Sequence, residues 1–172
     1  LYAWGYNQNG QLGNGTTAHS TTPVPVIMTG ALAGKTVTSI AVGGDHNLVL
    51  TSEGRVYAWG RDDYGQLGDG STQQSTAPVA VDTTGPFGSK TIKAISAGHS
   101  HSLALATDGT LHAWGNNTLG QLGDGTTTNR TLPTPVLPGV IAMAAGLEHT
   151  LALTDDGNLW GWGDNLVGQL GD

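Results

Sequence analysis

Self-similarity constrains this chain more than any other feature. Four segments repeat one pattern: LYAWG at 1–5, VYAWG at 56–60, LHAWG at 111–115 and LWGWG at 159–163. Each is followed by GQLG, at 10–13, 65–68, 120–123 and 168–171. Trp4, Trp59, Trp114 and Trp162 step by 55, 55 and 48 residues, and Gln11, Gln66, Gln121 and Gln169 keep the same steps. A second motif interleaves with the first, VGGDHNLVL at 42–50, AGHSHSLAL at 97–105 and AGLEHTLAL at 145–153, and its histidines, His46, His101 and His149, step by 55 and 48. Two motifs sharing one step size, down to a common 7-residue contraction, define a tandem array of one small unit. The contraction can be placed: MTGALAGK (28–35) and TTGPFGSK (83–90) are longer loops, and LPG (137–139) closes the same connection in the third unit.

Residues 91–115 show what a unit folds into. TIKAISA alternates apolar Ile92, Ala94 and Ile95 with polar neighbours and suits a short strand; SLALAT is a second. Asp108-Gly109 predicts a two-residue type I′ hairpin turn, and TLHAWG is the returning strand. NNTLGQLGDGTTT is a turn-rich excursion. TLPTPV is a further extended piece that Pro133 and Pro135 exclude from a central sheet position. No window carries a sustained helical period with caps. About four short strands in a unit of roughly 50 residues with a recurring aromatic is the pattern of a β-propeller blade. The expectation is an all-β chain with residues 1–172 as a single repeat array. Its units start near 1, 56, 111 and 159, giving about three blades plus a partial fourth, incomplete as a single ring. In that fold the Trp of each AWG packs between neighbouring blades. The Leu of each GQLG (Leu12, Leu67, Leu122, Leu170) plugs a polar turn, and the Gln amide pairs with backbone exposed there.

Composition narrows the partners. The net charge is −7, with 6 basic against 13 acidic residues. No basic cluster is available to neutralise phosphates, so nucleic acid and anionic membranes are poor partners. Without cysteine there is no disulfide or thiolate metal site. No apolar run reaches the length of a membrane span. The chain begins at Leu1 rather than Met, and it both begins and ends within a unit. The unpaired strand edges expected there suggest a longer chain or self-association of copies into a ring or filament.

YAWGYNQNGQLGNGT, YAWGRDDYGQLGDGS and HAWGNNTLGQLGDGT, with AGHSHSLALATDG and AGLEHTLALTDDG, resemble the regulator of chromosome condensation repeat over essentially the whole chain. The resemblance implies a propeller of about seven blades and a surface for binding other proteins. The family's founder is a guanine-nucleotide exchange factor for a small GTPase and binds chromatin. This chain departs from it in lacking basic character.

No once-only catalytic set stands out, so the expected function is a non-catalytic protein-binding or assembly module without cofactor. An exchange-factor-like regulator and a carbohydrate-binding surface protein are the alternatives. The recurring histidines could gather a metal, but one per unit beside a glycine turn reads as structural, bonded to local backbone. The GDG turns at 68–70 and 123–125 lack EF-hand spacing and read as turns. Positions that vary on the repeated frame are expected to face outward. The second position of the AWG strand is Tyr2, Tyr57, His112 and Trp160, and the following loops are YNQNG, RDDYG, NNTLG and DNLVG. Candidate partner contacts are therefore Tyr57, Trp160, the adjacent carboxylates Asp62 and Asp63, and Phe87. As the only Phe, Phe87 either anchors a contact or tucks under its own glycine-rich loop. Sequons at Asn14, Asn116 and Asn129 and a low lysine content fit an extracellular or cell-surface protein, where a glycan is a further candidate partner.

Overall fold

The computed structural model describes residues 1–82, 85 and 87–171. Among the described residues, thirteen strands form four antiparallel sheets in chain order. The first holds β1 (Tyr2–Gly5) and β2 (Ser20–Pro25). The second holds β3 (Val37–Val42), β4 (His46–Thr51), β5 (Val56–Gly60) and β6 (Ser75–Ala80). The third holds β7 (Ile92–Ala97), β8 (His101–Ala106), β9 (Leu111–Gly115) and β10 (Arg130–Leu137). The fourth holds β11 (Val140–Ala145), β12 (His149–Thr154) and β13 (Leu159–Gly163). Each four-stranded sheet is a meander. Every sequence repeat is shared between two sheets: its AWG strand and the next strand complete one, and its following two strands open the next. The array is thereby stitched across each sheet boundary by its own covalent chain.

The expected alternation and prolines explain the strand order. β6 and β10, with Pro78, Pro133 and Pro135, take outer-edge positions, where a missing N–H breaks no ladder. The hairpin at 106–111 differs from the type I′ expectation. Gly109 N–H donates to the Ala106 carbonyl at 3.1 Å, and Gly109 alone is left-handed, with φ +83°. Asp108 keeps a negative φ, so the turn is a longer one with glycine at its last position.

The apolar core lies between sheets, not within one. Leu48, Leu50, Val56 and Ala58 of the second sheet meet Ile92, Ala104, Ala106 and Trp114 of the third. Leu103, Leu105, Leu111 and Ala113 of the third meet Val140 and Ala152 of the fourth. β8 and β9, covered on both faces, are buried at every position.

Candidate functional site

The frame that positions the loops is a hydrogen-bond relay repeated at each sheet boundary. The indole N–H of Trp59 donates to the Gln11 carbonyl at 2.9 Å, Trp114 to Gln66 at 2.9 Å and Trp162 to Gln121 at 3.0 Å. The same carbonyls accept a second bond from the residue after each motif histidine: Asn47 at 2.7 Å, Ser102 at 2.8 Å and Thr150 at 2.8 Å. The Ser102 and Thr150 hydroxyls have then given away their proton. They accept from the preceding unit's histidine, His46 Nε2 at 2.9 Å and His101 Nε2 at 3.1 Å. The histidines are thus structural, but they bond to the next sheet's hydroxyl and not to local backbone as expected. Burial pulls His46 down to about 3 and His101 to about 4, so both rings are neutral. Among the described residues no group of His, Asp and Glu has the makings of a metal site.

Glycine is required where this relay closes. A Cβ on Gly13, Gly68 or Gly123 would lie 2.5–2.7 Å from the Nε1 of Trp59, Trp114 or Trp162, and all three glycines have positive φ. The tryptophan therefore stacks directly on the GQLG turn of the preceding unit, whose Leu12, Leu67 and Leu122 are buried beneath it.

The loop after each AWG strand is clipped from inside by one buried side chain. Asn7 Oδ1 accepts from Leu12 N–H at 2.8 Å, and Asn7 Nδ2 donates to the Thr16 and Ala18 carbonyls. Asn117 does the same with Leu122, Thr126 and Thr128. The second unit has Asp62 here, completely buried and accepting from Leu67 N–H at 2.8 Å. Its Oδ2, at the position where Asn7 and Asn117 carry a donating amide nitrogen, instead accepts from Ser71 Oγ at 3.3 Å. Burial pushes the Asp62 carboxyl up to about 7, and the Asp69 charge adds to the rise against the Leu67 and Ser71 hydrogen bonds. The expectation of a solvated Asp62–Asp63 pair is corrected: Asp62 is an internal clip.

Each GQLG glutamine braces the loop tip. Its Oε1 accepts from Asn9, Tyr64, Leu119 or Val167 N–H at 2.9–3.0 Å. Gln11 Nε2 then reaches Asp45 and Gln121 Nε2 reaches Glu148, but the corresponding Ser100 is too short, and Gln66 Nε2 is buried without a partner.

Exposed beyond this frame are the loop-tip side chains. Asp63 is exposed and pairs with Arg61 at 2.6 Å; Arg61 also lies 3.7 Å from Asp45 and 6.0 Å from the Tyr64 ring. Tyr6 stacks on His19, and Leu119 is exposed at the third unit's tip.

At the other end of the sheets lie the hairpins and the long loops, where one further expectation, an outward Tyr57, is corrected and the choice left open for Phe87 is decided. Tyr57, only 7% exposed, faces the preceding unit and packs with Leu32 of its long loop. Phe87 is buried. It tucks under, with its ring edge-on to His112 (centroids 5.2 Å apart) and Trp114 (5.9 Å). Its neighbour Pro86, with Thr83 and Thr84 of the same loop, lies outside the described residues. Trp160, in contrast, is 48% exposed. The structure therefore leaves Asp63 and Trp160 accessible, at opposite ends of the sheets, and buries Tyr57, Asp62 and Phe87. Sequence variation missed the burial because Tyr57 with Leu32 and His112 with Phe87 change as pairs. The signal for Asp62 was present, as the single Asp in a column of Asn7, Asn117 and Asn165.

The RCC1-like domain model matches residues 1–172. The chain belongs to the RCC1-like domain family. It is 39% identical over 136 residues to the ultraviolet-B receptor UVR8 of Arabidopsis thaliana, covering 79% of this chain and 30% of the receptor. It is 40% identical over 127 residues to the human E3 ubiquitin-protein ligase HERC2, covering 73% of this chain and 3% of the ligase. Among solved structures it superposes on human WBSCR16 with a TM-score of 0.84 and 28% identity, covering 99% of this chain and 44% of that one. It superposes on Prp20p from Saccharomyces cerevisiae with a TM-score of 0.84 and 27% identity, covering 99% and 42%. The chain thus spans less than half the length of each of these relatives. The fold is that of RCC1-type propeller blades, and the domain is a protein-interaction module.

Proposed function

We propose that this RCC1-like segment docks a protein partner on its loop face, through Asp63, Arg61 and Tyr64 in one loop and Leu119 in the next. The observation that carries this is the division of labour inside each loop. One side chain is fully buried and fixes the backbone, the glutamine braces the tip, and the residues that differ between units project outward. Binding residues set on a rigid scaffold lose little conformational freedom on association. Partner classes come from the comparison with Prp20p, whose binding to Gsp1p and histones has been examined. A chain of net charge −7 suits the basic histones on electrostatic grounds, and a small GTPase is the second arm.

The test is interferometry of the chain against Gsp1p and against core histones, with Asp63→Lys and a Tyr64→Ala/Leu119→Asp double variant alongside. Saturable binding that both variants lose, at unchanged melting temperature, supports the proposal. Binding that neither changes contradicts it. A nucleotide-release assay on the same GTPase tests the exchange-factor alternative, for which catalysed release is the required result.

A further inference from the structure

The long loops at 26–36 and 81–91 each deliver two things to the following unit. The first places Leu32, fully buried, against Tyr57, and its Lys35 pairs with Glu53 at 2.6 Å on the adjoining hairpin. The second places Phe87 against His112, and its Lys90 pairs with Asp108 at 2.5 Å. In both, the lysine follows the apolar residue by three positions. Each loop is thus a clasp: an apolar side chain caps the second residue of the AWG strand, and a lysine neutralises the hairpin acid.

The third unit has no clasp. Only residues 138–139 separate β10 from β11. The covered position is now Trp160, and the hairpin acid is Asp156, beside Asp155. Trp160 is 48% exposed, against 7% for Tyr57 and 0% for His112. Tyr57 packs with the preceding unit's long loop. At the same register position Trp160 has only the two-residue connection of the third unit, which carries no counterpart of Leu32 or Phe87, and it lies on β13, the outer strand of its sheet among the described residues. Its indole N–H donates to Thr154 Oγ1 at 3.3 Å, which holds the ring in place. Asp156 accepts only from Thr154 and Asn158 in its own hairpin, and among the described residues no lysine or arginine pairs with Asp155 or Asp156.

We propose that this notch receives a clasp in trans: a loop of a partner protein carrying a large apolar side chain and, three residues later, a lysine. The apolar side chain takes the place of Leu32 or Phe87 over Trp160, and the lysine takes that of Lys35 or Lys90 opposite Asp156. Charge complementarity commits the occupant: an exposed aromatic alone would fit many ligands, but the Asp156 carboxylate, bonded to the same Thr154 hydroxyl as the indole, favours a basic group. The notch lies at the opposite end of the sheets from the proposed loop face and does not depend on it.

The probe is the chain's own clasp as a peptide, Thr-Gly-Ala-Leu-Ala-Gly-Lys-Thr, titrated onto the 172-residue chain while the tryptophan indole N–H signals are followed by NMR. Saturable shifts of the Trp160 signal with a dissociation constant of ~0.1–1 mM are expected for so short a peptide. Trp160→Ala should weaken binding at least about tenfold, and Asp156→Asn, or Leu→Ala or Lys→Ala in the peptide, should weaken it severalfold. As a second arm, residues 26–36 replace Pro138-Gly139 in the chain. This graft should shift Trp160 emission to the blue and abolish peptide binding, while Asp63→Lys leaves peptide binding unchanged. The proposal is overturned if the peptide leaves the Trp160 signal unmoved at millimolar concentration, if Trp160→Ala binds as well as the native chain, or if the graft still binds peptide. Quenching of Trp160 by chito-oligosaccharides that the peptide fails to displace would equally overturn it in favour of a glycan site.

Discussion

Replacing Asp62 by Asn tests the internal logic of the loop frame. In the first and third units the equivalent Asn donates to two backbone carbonyls while accepting one N–H. Asp62 keeps the accepting bond but must hold a proton to donate, and its carboxyl stands at about 7 against an ordinary 3.8. The folded state therefore binds a proton across this window that the unfolded state has released. Stability falls as pH rises from about 4 to about 7, by up to about 4 kcal/mol for this group. Asp62→Asn removes that loss and supplies the amide donor that Asn7 and Asn117 use to bond their own loops' carbonyls, worth about 1 kcal/mol per bond formed. Urea denaturation of both proteins from pH 4 to 8 isolates the effect, because every other titrating group cancels in the difference. The variant should be within about 1 kcal/mol of the native chain at pH 4 and more stable by about 2–5 kcal/mol at pH 8. A difference that is flat with pH, or a variant less stable at pH 8, would refute the assignment of Asp62 as a protonated stand-in for asparagine.

Three more outcomes are expected. In the Asp62→Asn background the buried neutral His46 and His101, at about 3 and about 4, make the unfolded chain the better proton binder below about 6.5. Melting temperature should then fall steadily from pH 7 to pH 4, and a pH-independent melt would contradict the His-to-hydroxyl relay. Ser100→Asp gives the orphaned Gln66 amide the partner that Asp45 gives Gln11 and should raise stability by about 1 kcal/mol in urea titrations; no gain would show that the amide is already satisfied. Gly68→Ala forces a Cβ within 2.6 Å of the Trp114 indole and should cost more than about 3 kcal/mol or prevent folding, while Gly120→Ala, with open space around it, should cost about 1 kcal/mol of backbone strain. Equal losses in the two would contradict the stacked geometry.

The strands, the edge prolines, the leucine plugs and the tryptophan between sheets were legible because each repeats with the frame. What the sequence concealed lies where the frame changes. The serine and threonine that receive His46 and His101 sit next to the following unit's histidine, in a column that also holds Asn47. The bond crosses a sheet boundary that spacing alone does not reveal. Variation between units points Tyr57 outward, yet it varies together with Leu32, on which it packs. A lone Phe87 on a glycine-rich loop fits either an exposed or a tucked ring, and only its packing on His112 decides between them. The 7-residue contraction was visible as a count, but what it removes, a counterpart of the Leu32–Lys35 and Phe87–Lys90 pairs near Trp160 and Asp156, needed the loops' positions in space.

The most direct test of the loop-face account compares the two ends of the sheets in one experiment. A photo-crosslinking residue is placed at position 63 or 118 on the loop tips, or at position 53 or 107 on the hairpins, and irradiated in complex with Gsp1p or with histones. Adducts from positions 63 and 118, absent from 53 and 107, are the predicted result. Adducts from the hairpin positions alone, or from all four equally, would contradict the claim that the unit-specific loop residues form the docking surface.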